Sequence, residues 1–531
     1  MRSLVVWALA SASAAHAQTS DWPSSGRGPE WMTGWSPLAR VADLTRTAPA
    51  APRFTNLLAA PLPRIGLFWT AGVPAGVGAD IVQSRAELRA GELGAAGAYR
   101  RTLDVDDVRG TRISGLAWRP VGHGAVVGHV VALQRATAAG HAAILNPYAS
   151  DPFVLADSSL PAMRQLSVRL EGALGWRFGR LDVGLSAGVD EHDFRTNEAR
   201  FARLGRASTP AVRAGGAIRL PMDLRFGVHG GWTGESETAI LAAQPGAGEV
   251  YLLDGYSDPL AGSLSPPGLV LRRADRRATL AGAGLEGRVL AVRWVVHARR
   301  EWRTDEYVST REATPPTDQW EATGWTFGGA LQATVLGNRL LLTADARSST
   351  LSGKARRAGL DGVFLRTDER VVDASVELRY QPRGSSWRWT TAFVLRREDR
   401  LRRDLIVEVH SDIRAWTTGG RIEVAREIGS FVAGLGAAVT GYTPRAAIPD
   451  PNAMGPLYRR LVAAENSLYA VPAVPTALWV GVGYRVGPAT VIALDAAGER
   501  LARRGPRPDL AFAPRGSYTG WSIDLRVVWD R

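Results

Sequence analysis

The amino-acid sequence predicts an all-β chain: a transmembrane antiparallel β-barrel of about 18 strands (16–18), behind a short irregular N-terminal segment. Three observations predict it. Apolar and polar residues alternate with a period of two over most of the chain after about residue 84. Connections between the alternating stretches are short at one end and long at the other, and aromatic residues gather toward the stretch ends.

Composition sets the outer bounds. The chain has 531 residues, 45% of them hydrophobic, which excludes general disorder. It contains no cysteine, which excludes a disulfide scaffold, a thiolate metal site and a cysteine nucleophile. Net charge is +13, and Lys354 is the single lysine among 64 basic residues. That arginine bias reads as codon usage in a GC-rich genome rather than as a nucleic-acid footprint, so no nucleic-acid partner is expected.

Residues 1–17 read as a secretory signal peptide. Arg2 precedes an apolar run from Leu4 to Ala15, and Ala15 and Ala17 occupy the −3 and −1 positions of a cleavage site before Gln18. The run is too short for a spanning helix, which needs about 20 residues. Its removal leaves a formal charge of +12. Residues 18–79 carry Trp22, Trp31 and Trp35 among eight prolines, too many for a barrel strand, and are expected to form a periplasmic or plug segment. Residues 80–531 are expected to form the barrel.

The alternation is explicit strand by strand. Leu166, Val168, Leu170, Leu174, Trp176 and Phe178 share one face, opposite Arg169, Glu171 and Arg177. After a Gly179-Arg180 turn, Leu181, Val183, Leu185 and Val189 oppose Asp182, Ser186 and Asp190. Phe226, Val228 and Trp232 oppose Asp223, Arg225 and His229, while Leu290, Val292, Trp294 and Val296 oppose Arg293, His297 and Arg299. Val372 to Tyr380 alternates against Asp373, Glu377 and Arg379, and Thr519 to Trp529 against Asp524 and Arg526.

Tight connections fall near Pro120–Gly124, Gly179-Arg180, Pro221, Gly287-Arg288, Gly337-Asn338, Gln381–Ser386, Glu427–Ser430 and Gly487-Pro488. Longer polar loops are read at 136–163, 192–209, 235–276, 304–319, 351–369, 398–411 and 443–474. Eight tight turns imply sixteen strands, and stretches at about 84–102 and 517–530 complete an even count with both termini on the short-turn side. A propeller or stacked sandwich would also alternate. No blade repeat is present, and the aromatics sit where membrane interfaces require them.

With these features the chain resembles bacterial outer-membrane β-barrel proteins. Tyr518, Gly520, Ile523 and Leu525 resemble the C-terminal signal read by the barrel-assembly machinery, although Asp530 and Arg531 follow the last aromatic residue, Trp529. Ala71 to Gly76, Asn146-Pro147-Tyr148 and Ala156-Asp157-Ser158 are similar to landmarks of an outer-membrane barrel family of unknown function. The resemblance implies a bacterial outer-membrane location, the assembly machinery as a partner during biogenesis, and contact with lipid and lipopolysaccharide. Arginines of the outer loops suit lipopolysaccharide phosphates, and a periplasmic or surface protein is a further expected partner.

Two catalytic patterns fail on context. Gly184-Leu185-Ser186-Ala187-Gly188 fits a nucleophile elbow but lies within an alternating strand. Gly282 to Gly287 fits a dinucleotide fingerprint but is followed by a strand, not a helix. Asp190-Glu191-His192-Asp193 and Asp104 to Asp107 lack calcium-loop spacing. The chain is therefore read as no enzyme, with no catalytic, cofactor or metal residues and no cofactor. A lipid hydrolase using His192, His229, His297 or His410 with a serine is the remaining exception.

Assigning the apolar face to lipid turns the polar face inward. The residues expected to line the lumen are Arg169, Glu171, Arg177, Asp182, Asp223, Arg225, His229, Arg293, His297, Arg299, Arg339, Asp345, Arg347, Asp373, Glu377, Arg379, Arg421, Glu423, Asp495, Asp524 and Arg526. Eighteen strands enclose more space than side chains fill. The expected function is a channel or transport protein with a charged, arginine-rich lumen; the alternative is an accessory, surface-binding barrel with an occluded lumen.

Overall fold

The computed structural model describes residues 84–97, 107–137, 153–157, 163–196, 201–243, 250–254, 268–310, 317–335, 340–357, 362–447, 470–487, 489–503 and 516–530. The signal peptide, the segment 18–79 and the first two stretches of the narrower family resemblance, 71–76 and 146–148, lie outside them.

The strands are β1 (Arg85–Gly97), β2 (Asp107–Val121), β3 (Gly124–Thr137), β4 (Phe153–Asp157), β5 (Met163–Phe178), β6 (Leu181–Thr196), β7 (Phe201–Leu220), β8 (Leu224–Ala243), β9 (Val250–Asp254) and β10 (Gly268–Val289). They continue as β11 (Val292–Thr310), β12 (Thr317–Val335), β13 (Leu340–Arg356), β14 (Val363–Tyr380), β15 (Trp387–Asp404), β16 (Val409–Ile428), β17 (Phe431–Ala447), β18 (Ala473–Gly487), β19 (Thr490–Arg503) and β20 (Ser517–Asp530). Eighteen of them form one antiparallel sheet in which each strand pairs with its neighbours in the chain, β4 and β9 excepted. The sheet closes on itself: β1 pairs with β20 from Arg85↔Asp530 to Gly97↔Tyr518. Closure leaves no open edge, the condition for a sheet to sit in hydrocarbon. β4 and β9 pair with each other as a separate two-stranded sheet, which the sequence pattern did not disclose.

The faces separate by residue parity. Leu170, Leu174, Leu185, Val228, Val296, Phe393, Ile422, Leu435, Leu478 and Leu525 are exposed, whereas Asp182, His229, Arg299, Glu423, Asp524 and Arg526 are buried. An inside-out distribution over a closed wall is that of a barrel whose solvent is lipid. Two aromatic levels bound the apolar band. Trp294 and Trp302 on β11, and Trp521 and Trp529 on β20, stand eight residues apart on one face. That is about 27 Å along a strand, or about 20 Å along the membrane normal at a tilt near 40°. Inner-level aromatics pack against each other, as in Phe431–Tyr484 at 4.8 Å and Trp387–Trp389 at 6.4 Å.

The tight turns carry the positive-φ residues that short hairpins need. Met222 and Asp223 both adopt positive φ, 62° and 55°, joining β7 to β8. Gly179, at φ 57°, turns β5 into β6. One turn is displaced from its sequence-based position: β10 runs through Gly287-Arg288, and the chain reverses at Leu290-Ala291, with Leu290 at φ 55°. Gly287 has another role. A Cβ there would sit 2.7 Å from Cε2 of the Trp294 ring, so glycine lets the indole lie flat on the neighbouring strand.

The long connections are shorter than the sequence pattern indicates. The stretch read as a loop at 192–209 reduces to residues 197–200, that at 304–319 to 311–316, and that at 398–411 to 405–408. Likewise 235–276 reduces to 244–249 and 255–267 on either side of β9, 351–369 to 357–362 and 443–474 to 448–472. Beyond the outer aromatic level both faces of the wall are polar, so the alternation vanishes while the backbone ladder continues. Asp404 closes the β15–β16 turn, accepting hydrogen bonds from the amides of Ile406 (3.0 Å) and Val407 (3.3 Å).

Candidate functional site

The candidate site is the inner face of the wall, where acids and arginines on adjacent strands are held in register. At the short-turn end the network is centred on Asp182 of β6, which is fully buried. Its carboxylate meets Arg177 of β5 at 3.3 Å, Arg219 of β7 at 2.8 Å and Arg225 of β8 at 3.4 Å. Arg225 also reaches Glu286 of β10 at 3.1 Å, and Arg293 of β11 reaches the other Glu286 oxygen at 3.0 Å. One chain of ion pairs thus crosses six consecutive barrel strands.

A second network lies toward the long-loop end of β8, β10, β11 and β12. Arg276 pairs with Glu235 and with Glu237 (2.8 Å), and Arg303 pairs with Asp305. Tyr307 donates its hydroxyl to Asp305 at 3.2 Å, and the Arg303 guanidinium stacks 4.6 Å from the Trp320 ring. All these groups are largely buried, and a charge taken out of water persists only with such partners.

On β13 to β16, Glu377 accepts Arg379 (2.5 Å) and Arg421. Asp373 faces Arg396 at 3.6 Å, and Ser375 donates to Asp345. Glu398 lies between Arg396 (3.5 Å) and Arg400 (3.2 Å). At the closure of the barrel, Arg112 of β2 reaches across β1 to Asp524 of β20, its Nη2 within 2.8 Å of both carboxylate oxygens. Arg526 pairs with Asp495 at 3.1 Å.

Small residues make this reach possible. Gly91 of β1 lies between Arg112 and Asp524, where any side chain would collide with the carboxylate. His229 and His297 lie over Gly282 and Gly328, where a Cβ would approach each Nε2 to 2.7 Å.

Of the residues expected inside, Arg169, Arg177, Asp182, Arg225, His229, Arg293, His297, Arg299, Asp345, Arg347, Asp373, Glu377, Arg379, Arg421, Glu423, Asp495, Asp524 and Arg526 occupy the inner parity. Asp223 does not. It lies in the exposed β7–β8 turn with positive φ, because the hairpin consumes the residue that alternation assigned to the wall. Arg339 and the side chain of Glu171 lie outside the described residues. The sequence pattern missed Arg112, Arg213, Arg219, Arg276, Glu286 and Arg303. Arg276 ends a stretch read as a loop, 235–276. Arg213 and Arg219 belong to Ala-Val-Arg-Ala-Gly-Gly-Ala-Ile-Arg, where small residues dilute the alternation.

The tempting motifs take ordinary places. Ser186 is a buried inward residue in the middle of β6, far from any strand-to-helix turn. Gly282 to Gly287 lies wholly within β10. Asp190 and Glu191 point to opposite faces: Asp190 pairs inward with Arg169, and Glu191 accepts the Ser208 hydroxyl at 2.5 Å. Among the described residues no group of three or more histidines, aspartates and glutamates is placed to hold a metal ion, and no helix is long and apolar enough to cross a membrane.

No protein-family model matches the chain, and no curated protein matches it. Among solved structures it is similar to the pyoverdine outer membrane receptor FpvA from Pseudomonas aeruginosa PAO1, at 10% identity over 84% of this chain and 78% of that one, with a TM-score of 0.40. It is similar also to BauA, the ferric preacinetobactin receptor from Acinetobacter baumannii, at 10% identity over 84% and 80% of the two chains, TM-score 0.37. The copper transporter OprC matches at 10% identity over 84% and 80%, TM-score 0.38.

Proposed function

We propose that the barrel carries a solute pathway across the bacterial outer membrane, lined by fixed charges of both signs. The observation that carries this reading is the chain of ion pairs from Arg177 through Asp182, Arg225 and Glu286 to Arg293, which spans six strands on the face away from lipid. Paired charges keep a wall polar and wettable while cancelling its net field, so the lining filters by local charge and size rather than by one dominant sign. In this reading residues 18–79, once the signal peptide is removed before Gln18, are a plug or periplasmic segment that governs access.

A second reading, an occluded accessory barrel, draws on one feature. Beyond the Arg485–Glu427 ion pair at the short-turn end (3.0 Å), the inner face of β17 and β18 carries Trp479, Tyr442, Ala438 and Ala477, and Trp479 is buried against Ala425. Such an apolar stripe suits a packed occupant better than water. Conductance of the purified protein in planar bilayers separates the two readings. The pathway reading expects discrete conductance steps that grow when residues 18–79 are deleted; silence of both forms would overturn it.

A further inference from the structure

The outer face holds cations as well as apolar groups, and one of them has no acid to explain it. Arg300 of β11 points outward at the outer aromatic level. Its guanidinium carbon lies 5.1 Å from the centroid of the Trp302 ring and 5.3 Å from that of the Trp325 ring. Its Nε is buried without a hydrogen-bond acceptor, and its cross-strand neighbours are Ala281 and Trp325. On the adjacent strand Arg277 shares the outward face, diagonal to Trp302, with Thr304 and Gly234 opposite it. The acids of this face have other partners or stand farther out: Asp275, held by Arg273 at 2.7 Å, and Glu306 lie one step farther toward the long loops, and Glu321 of β12, opposite Thr304, is held by Lys354 at 3.0 Å.

Trp302 is therefore flanked by two arginines at the boundary between hydrocarbon and headgroups. The two indoles hold the Arg300 guanidinium by cation–π attraction, and a guanidinium's planar fork can take a phosphate two bonds at a time. A cation in this position gains little from water alone, because the indoles have already removed part of its hydration. We propose that Arg277, Trp302, Arg300 and Trp325 form a binding site on the outside of the barrel for the phosphorylated glucosamine headgroup of an outer-leaflet glycolipid. The acyl chains would lie on the apolar wall below, along Val296, Leu285 and Phe327. The site is independent of whether the lumen conducts.

The probe is bisphosphorylated lipid A added to the detergent-purified protein, with binding read by native mass spectrometry. The site predicts saturable binding of lipid A and much weaker binding of the same lipid stripped of its phosphates. It further predicts roughly tenfold weaker binding for each of Arg300→Gln and Arg277→Gln. Arg426→Gln is the control, since Arg426 stacks on Trp387 (5.1 Å) at the opposite, short-turn level, and it should bind as wild type. Heat-modifiable gel mobility confirms that each variant is folded. Equal binding by folded Arg300→Gln and wild type, or equal binding of the dephosphorylated lipid, would overturn the proposal.

Discussion

Asp182→Asn is expected to destabilise the barrel by about 3–5 kcal/mol, the largest effect of any conservative single change on the inner face. The carboxylate is fully buried and faces three arginines, Arg177, Arg219 and Arg225. An amide of the same shape removes the charge that Arg177, Arg219 and Arg225 share and leaves the guanidinium groups crowded together. The cost comes mainly from those stranded cations rather than from lost packing. The urea midpoint of the protein folded into lipid vesicles measures it. Arg177→Gln provides the scale: Arg177 is about a third exposed, so water screens its loss, and under about 1 kcal/mol is expected. Similar small effects for both changes would show that the network is wet and loosely coupled.

Leu525→Arg is expected to cost about 2–4 kcal/mol, for the opposite reason. Leu525 lies on the outward face of β20, midway between Trp521 and Trp529, and is half exposed. In water an exposed leucine is replaced by arginine at little cost. At the centre of a bilayer the guanidinium must drag water inward or bend toward an interface. Thr519→Arg, on the same face but beyond the outer aromatic level, is expected to cost under about 1 kcal/mol. A depth-dependent penalty along one strand distinguishes lipid from any soluble surroundings, and vesicle refolding titrations of the two variants read it directly.

Much of this architecture was legible in the sequence where one face meets lipid and the other does not. The stretch read at 517–530 coincides with β20, Ser517–Asp530, because Trp521, Ile523, Leu525, Val527 and Trp529 alternate with polar residues to the end. The strand count followed from the tight turns and holds at eighteen in the closed sheet. The outer ends of the strands were illegible for a physical reason. On β11, Thr304 and Glu306 face out while Arg303 and Asp305 face in, so nothing marks the period although the ladder to β12 runs to Val308↔Thr317. Glycine misled at 287–288, where it serves the Trp294 ring rather than a turn. Pairing within the site was partly legible. Neighbours two apart on one strand, such as Glu377 with Arg379, could be read from spacing, because a strand returns to the same face every second residue. The contact of Arg112 with Asp524 could not, since it joins residues 412 positions apart and depends on barrel closure.

In this barrel apolar side chains face lipid and charged ones face inward. The absence of native cysteine makes this directly testable, because a single cysteine can be introduced at each position from 519 to 529 and labelled with a nitroxide. In the protein reconstituted in lipid bilayers, collision rates with oxygen, which concentrates in lipid, and with a water-soluble nickel chelate should alternate with a period of two. Positions 521, 523, 525 and 527 should favour oxygen, and positions 522, 524 and 526 should not. A profile without that alternation, or with oxygen favouring positions 522, 524 and 526, would contradict the account.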